Sequence, residues 1–471
     1  MSSPASTSTS DVTGKPFSWR FTTPLFIGSA LNPINSSMIA TALVPIAVGL
    51  HVPIGQTASL VTALYLASAI AQPTAGKVAA VFGARRVFLI GIILVLLGGV
   101  LGGLAQNLPV VLIARVLIGL GTSCAYPSAM MLIQRRAKSA GLEKPPGGVL
   151  GGLQIAGLAT AALGLPIGGV LVQTAGWRWV FFVNVPVALI ALAAALIWIP
   201  RDPAQQDHKS ARGVLSSIDL VGILGFGLAM IALLLFLFSL QDPNWIMLAA
   251  AAVLFVALTL WELRAKSPFL DVRLLVRNSA LTRTYLRFAL VALCVYIVMY
   301  GITQWMESAR GISALSAGLL LLPMSIISGI VVVPISRRNL VRGPVIIASI
   351  ASLAGSAGVL LLTSDTNIVW IVVITVIFGI VLGTASSGNQ LALYTQAPPE
   401  QLGVASGLFR TFGYIGSIAS SAIAGIVFHD SASDSGVHTI GVIMIGVSLI
   451  AIALTIFDRT LRAPNRTTLQ G

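Results

Sequence analysis

The sequence predicts an all-α polytopic membrane protein: two six-helix bundles plus two additional transmembrane helices, fourteen spans in all. Three observations predict it. The 471 residues are 56% hydrophobic and only 9% charged, too few polar groups to cover a soluble globule of this size. The apolar residues gather into fourteen stretches of roughly 19 to 27 residues, each long enough for the ~20 that a helix needs to cross hydrocarbon. Two charged loops, 200–215 and 263–281, then part these stretches into six, two and six.

Taken in order, residues 1–22 form a Ser/Thr-rich tail without the short apolar core and cleavage site of a signal peptide. Spans one to six, near 23–48, 57–80, 86–106, 108–134, 148–173 and 179–199, make an N-terminal bundle over 23–200. A linker region, 201–280, holds spans seven and eight near 216–240 and 244–262. Spans nine to fourteen, near 282–306, 312–336, 342–363, 367–394, 402–428 and 437–457, make a C-terminal bundle over 281–458, and 459–471 is a second tail. Repeated six-helix halves place a substrate site at their interface near midplane. Glycine runs such as "LLGGVLGGLA" and "GLATAALGLPIGG" let backbones approach closely. Such seams serve packing, and they also let one bundle rock against another.

The net charge of +14 is distributed along the chain. With the N-terminus inside, all Lys and Arg except Arg115, Arg178, Arg310 and Arg410 fall on the cytoplasmic side. This positive-inside bias predicts a multi-pass cell-membrane protein with both termini cytoplasmic. No single soluble segment collects the charge, which excludes nucleic acid as a partner. Cys124 and Cys294 both fall in spans and carry no disulfide or metal argument. The four histidines lie in loops or at span ends, and the sequence has no H-E-x-x-H, G-x-S-x-G, C-x-x-C or G-x-x-x-x-G-K-[ST] motif. The expectation is therefore a protein that is not an enzyme, with no cofactor, no metal and no ATP hydrolysis of its own.

Six segments together resemble one family. They are the loop 76–86 "GKVAAVFGARR", Arg115 in "LIARVLIGLG", "LGLPIGG" in span five, "GWRWVFFVNVP" at 176–186, and "SPFLDVRLL" with "GISALSAGLLLLP" around span nine. The chain is identified through them as a member of the major facilitator superfamily, similar to its fourteen-span drug/proton antiporters along essentially the whole length. The resemblance implies the major facilitator fold and gating motifs at Gly76, Gly83, Arg85 and Arg86 and at Gly164, Pro166, Gly168 and Gly169. It also marks departures. The family's loop has an acid where Ala80 stands and a base where Val81 stands; its span-one carboxylate is Asn35 here; and Leu165 separates Gly164 from Pro166.

Ionisable groups inside a membrane are costly and therefore functional candidates. Glu307, in "YGITQWMESARG", is the one acid outside tails, loops and cytoplasmic span ends, and it is assigned proton coupling together with Arg115, the superfamily's span-four arginine. The competing role for Glu307 is an ion pair with Arg310, and for Arg115 snorkelling toward headgroups. Candidate cavity residues are Asn32, Asn35, Gln154, Tyr300, Gln304, Asn389, Gln390 and Arg410, each of which could instead hydrogen-bond between helices. Two arginines against one glutamate favour neutral, zwitterionic or anionic substrates. The leading reading is a secondary active transporter exporting small amphipathic compounds in exchange for protons by alternating access, as a monomer in the bilayer. The alternative is an uncoupled facilitator or importer of neutral or anionic metabolites.

Overall fold

The structure is a computed structural model, which describes residues 17–142, 147–202, 219–239, 243–266, 268–269, 272–338, 340–397, 402–429 and 431–458. Fourteen helices take the positions of the fourteen apolar stretches. They are α1 (Trp19–Leu50), α2 (Ile54–Phe82), α3 (Ala84–Gly103), α4 (Leu108–Ser139), α5 (Gly147–Ala175), α6 (Trp179–Trp198), α7 (Leu220–Phe238) and α8 (Trp245–Glu262). After a short helix at Val272–Arg277 follow α9 (Ser279–Ser308), α10 (Ala314–Arg337), α11 (Arg342–Leu360), α12 (Ile368–Gln396), α13 (Leu402–Val427) and α14 (Asp434–Ile456). Among the described residues eleven are long and apolar enough to cross a membrane. The helices α5, α7 and α13 fall outside that set, so the fold is polytopic while the number fourteen stays an expectation.

Polar side chains start many of these helices by accepting from backbone N–H groups that the helix leaves unpaired. Asn107 caps α4, Asp219 caps α7, Asn278 caps α9, Ser313 caps α10, Asn367 caps α12 and Ser433 caps α14. His51 ends α1 in the left-handed region at φ 54°.

The two halves pack alike. In the first, α3 lies against α4 and α6, α2 against α4, and α1 against α4, α5 and α6. In the second, α11 lies against α12 and α14, α10 against α12, and α9 against α12, α13 and α14. Every pair maps onto its counterpart by a shift of eight helices, the signature of a pseudo-two-fold repeat. The halves meet where α2 packs on α13 and α5 on α10. The α7–α8 pair docks through α7 beside α2 and α13; Asp219 ties it together, accepting from Trp261 Nε1 at 2.8 Å and Phe269 N at 3.1 Å.

Because successive helices alternate in direction, the turns carrying Arg85, Arg86, Arg135, Arg283 and Arg342 share one rim, the basic rim. At the far rim the halves touch backbone to backbone. A methyl group built on Gly55 would stand 2.6 Å from Gly425 O and 2.8 Å from His429 Cα, and one on Gly169 would stand 2.6 Å from Leu315 Cα. On Gly318 it would stand 2.6 Å from Leu165 O. The far rim is closed.

Candidate functional site at the interface of the halves

The first helix of each half departs from α-geometry at equivalent places. In α1 a tighter 3₁₀ turn spans Ile39–Ala42, and in α9 a wider π-turn spans Val298–Ile302; the two touch across the interface. Such irregular turns re-aim side chains and recur at functional sites. Here the π-turn carries Tyr300 to α1, where its hydroxyl donates to Ser36 O at 2.9 Å. The Tyr65 hydroxyl, 2.9 Å away, therefore donates to Tyr300.

Around this bond four of the chain's seven tyrosines collect. Tyr296 stacks on Tyr300 with centroids 5.8 Å apart, Tyr65 meets Tyr296 edge-on at 5.3 Å, and Tyr414 lies 5.5 Å from Tyr65. Tyr414 donates to Gln72 Oε1 at 2.5 Å, and Thr62 and Ser421 exchange a hydroxyl bond at 2.5 Å. Every one of these polar contacts joins one half to the other.

Arg115 stands beside the cluster with only 1% of its surface exposed. Its Nε donates to Leu60 O at 3.1 Å and its Nη1 to Asn35 O at 3.2 Å, so it braces α4 against α2 and α1. Snorkelling is thereby excluded. Its Nη2 is buried without a hydrogen-bond partner, and among the described residues no carboxylate pairs with it. Gln304, also 1% exposed, has both side-chain amide atoms buried and unpartnered. A buried donor fork and a buried amide, both with capacity unused, suit recognition of a polar but uncharged or anionic group.

The remaining candidates divide. Asn32 donates to Thr122 Oγ1 at 2.9 Å and weakly to Ser68 Oγ, as an interhelical link. Asn35 uses both amide hydrogens, toward Leu31 O and Asn184 Oδ1 at 2.6 Å. Arg410 lies over the Tyr126 ring, 4.1 Å from its centroid, bridging α13 to α4. The side chain of Gln154 and those of Ala80 and Val81 lie outside the described residues. Glu307 is half-buried, its Oε1 without a partner. Among the described residues it makes no ion pair with Arg310, which instead faces the Trp305 ring.

Asn389 belongs elsewhere. Its Oδ1 accepts from Arg287 Nε at 2.8 Å, and Arg287 also donates to Asp458 Oδ2 at 3.3 Å and Thr284 Oγ1 at 3.1 Å. Gln390 follows it, half-buried. Placing Arg287 with the cytoplasmic loop residues, as the sequence suggested, needs correction: it lies inside α9 and is fully buried. Its spacing of two turns from the helix start and a carboxylate past the end of α14 were the legible signals. Removing one member of a buried ion pair typically costs about 3–5 kcal/mol. Arg287→Met, which leaves Asp458 with the 3.5 Å pair to Arg283, is therefore expected to lower the thermal midpoint of the purified protein by several degrees, and the double variant Arg287→Met/Asp458→Leu to recover part of it.

The residues of the expected gating motifs lie at close helix contacts. Gly164 and Gly168 accept α1, a methyl on Gly168 standing 2.7 Å from Met38 O, while Gly169 accepts α10. Pro166 sits inside α5 between them. Gly76 faces Pro127 of α4. Gly83 turns the chain at φ 100°, between α2 and α3, and the residues after it, Arg85 and Arg86, are held by a side chain that the sequence did not single out, Asp202.

The family model of the Major Facilitator Superfamily matches residues 25–421. An uncharacterized MFS-type transporter, YwoD of Bacillus subtilis (strain 168), is 32% identical over 438 residues, 91% of this chain and 95% of that protein. The tetracenomycin C resistance and export protein of Streptomyces glaucescens is 28% identical, over 91% of this chain and 79% of its own. The multidrug transporter protein MdtP of Bacillus subtilis (strain 168) is 30% identical, over 86% and 74%. A crystal structure of a peptide transporter POT in complex with sulfate superposes with a TM-score of 0.66 at 16% identity, covering 93% of this chain and 95% of that one. At that identity the likeness establishes the fold alone.

Proposed function

The chain belongs to the Major Facilitator Superfamily, and from that premise we propose that it exports small amphipathic compounds by alternating access, in exchange for protons. The observation that carries the reading is the Arg115, Tyr65 and Tyr300 cluster at the interface of the halves, with Gln304 one turn beyond Tyr300 on α9, where unpaired polar groups lie by stacked aromatic rings. A relative named as a resistance and export protein supports the direction. The basic rim is assigned to the cytoplasm by the positive-inside rule, so the closed far rim faces outward.

The substrate class follows from charge. Arg115 carries a cation with no carboxylate beside it among the described residues, which disfavours a lipophilic cation and favours neutral or anionic aromatic compounds. Flat rings stack on Tyr296 and Tyr300 while a carbonyl or carboxylate accepts from Arg115 Nη2.

Glu307 is assigned the proton. It is a half-buried acid on α9, seven residues beyond Tyr300, roughly 10 Å along the helix, with no basic partner fixing its charge among the described residues. Each charge moved down a membrane potential supplies ~2.3 kcal/mol per 100 mV. The test is pH-gradient-driven accumulation of neutral and anionic aromatic compounds in proteoliposomes. Glu307→Gln is expected to remove the response to the gradient while substrate counterflow persists. Normal gradient-driven transport by Glu307→Gln would refute the assignment.

A second reading, an uncoupled facilitator or importer, is favoured by Asn35, whose amide is spent on Asn184 and Leu31 where the family has a carboxylate. Under it the gradient leaves accumulation by the parent protein unchanged.

A further inference from the structure

The turn joining α2 to α3 has no acid of its own between Gly76 and Arg86, yet a carboxylate occupies it. Asp202 lies four residues past the end of α6, with its side chain only 8% exposed. Its Oδ1 accepts from Arg85 N at 3.2 Å and its Oδ2 from Arg86 N at 3.1 Å. Oδ1 also accepts from Arg135 Nη1 at 2.9 Å, near the end of α4. The carboxylate packs directly on Gly83, where any Cβ would displace it. Gly83 itself gives α3 no side-chain cap. A second tie runs the other way, from Arg85 Nη2 to Leu196 O at 2.9 Å in the last turn of α6.

We propose that Asp202 is a positioning residue for transport: it caps α3 from outside that helix and clasps the ends of α2, α3, α4 and α6 into one body at the basic rim. A helix N-terminus exposes unpaired N–H groups and a partial positive charge, and a carboxylate there satisfies both. Two backbone donors and one guanidinium on a single buried carboxylate fix its orientation in a way that a lone surface ion pair does not. The clasp holds α3 and α4 directly and reaches α2 through Gly83, and α2 is the helix packed on α13 of the other half. Movement of α3 and α6 therefore reaches the interface through the Gly83 turn, and Asp202 keeps that turn from yielding.

The clasp's part in transport rests on the transporter reading above; the clasp itself does not. Asp202→Asn keeps the shape but loses the charge and one acceptor. It is expected to lower Vmax at least about tenfold with KM unchanged, and to raise the alkylation rate of a cysteine placed at Val78 on α2 by a similar factor. Asp202→Glu is expected to restore at least half of Vmax and to return slow alkylation. Parental Vmax and parental alkylation in Asp202→Asn would overturn the proposal, as would loss of transport with unchanged alkylation and no rescue by Asp202→Glu. Should Asp202→Asn not reach the membrane, hydrogen exchange on the parent decides. The Arg85 and Arg86 amides are expected to exchange at least about tenfold more slowly than uncapped first-turn amides, and rapid exchange there would overturn the proposal. A parent that carries no substrate but shows these protected amides would sink the transporter reading and leave the clasp standing.

Discussion

Arg115→Met is expected to abolish transport, lowering Vmax by at least about a hundredfold, while the protein still reaches the membrane. Methionine matches the aliphatic stem but makes neither bond to Leu60 O nor to Asn35 O. Each hydrogen bond to a charged group contributes about 1.5–3 kcal/mol, and both bonds hold helices that border the interface. The same change removes the cation whose Nη2 is left for substrate. Arg115→Lys separates the two roles. It keeps the charge, but a lysine cannot reproduce the planar fork that reaches α1 and α2 together, so residual transport of a few per cent is expected. Transport rates in proteoliposomes at saturating substrate check both, and parental rates in Arg115→Met would remove Arg115 from the site.

The second large effect concerns closure of the far rim. Gly169→Val is expected to hold that rim open and to stop turnover by about a hundredfold or more. The first carbon of the new side chain would stand 2.6 Å from Leu315 Cα and 2.7 Å from Ala314 O. Both are backbone atoms and cannot rotate away, so the seam between α5 and α10 has to part. Gly55→Val acts equivalently at the α2 and α13 seam, against Gly425 O and His429 Cα. A cysteine at Thr62, buried at that seam, reports the change: an impermeant maleimide is expected to label it slowly in the parent and rapidly in either variant. Full transport by Gly169→Val would show that this close approach is not required.

The spans were legible in the sequence because hydrocarbon imposes a length on apolar runs, and the halves because two charged loops part them. Helix ends differed where polar residues continue a helix past the apolar stretch. The fourth apolar stretch ends near 134, whereas α4 runs on through Arg135 and Arg136 to Ser139. By contrast α2, which spans Ile54–Phe82 rather than 57–80, runs on to Gly83, whose positive φ ends it. Arg115, Tyr300 and Gln304 were legible as polar residues inside apolar runs, and the structure gathers them at one interface. Tyr65, Tyr296 and Tyr414 were not singled out, since a tyrosine in a span reads equally as packing until its hydroxyl meets a partner from another helix. Arg287 was hidden by counting it with the loops. Asp202 was hidden for a related reason: a single acid just past a span has a role only once tertiary folding brings α3 and α4 to it.

Under the proposed alternating access the two halves open and close about the interface carrying the tyrosine cluster and Arg115. The most direct measurement is a reversible cross-link between Thr62→Cys and Ser421→Cys, whose parent hydroxyls lie 2.5 Å apart across that interface, in a protein with Cys124 and Cys294 replaced. Oxidation is predicted to arrest transport and reductant to restore it. Cross-linked protein that transports at the reduced rate or faster would contradict the account.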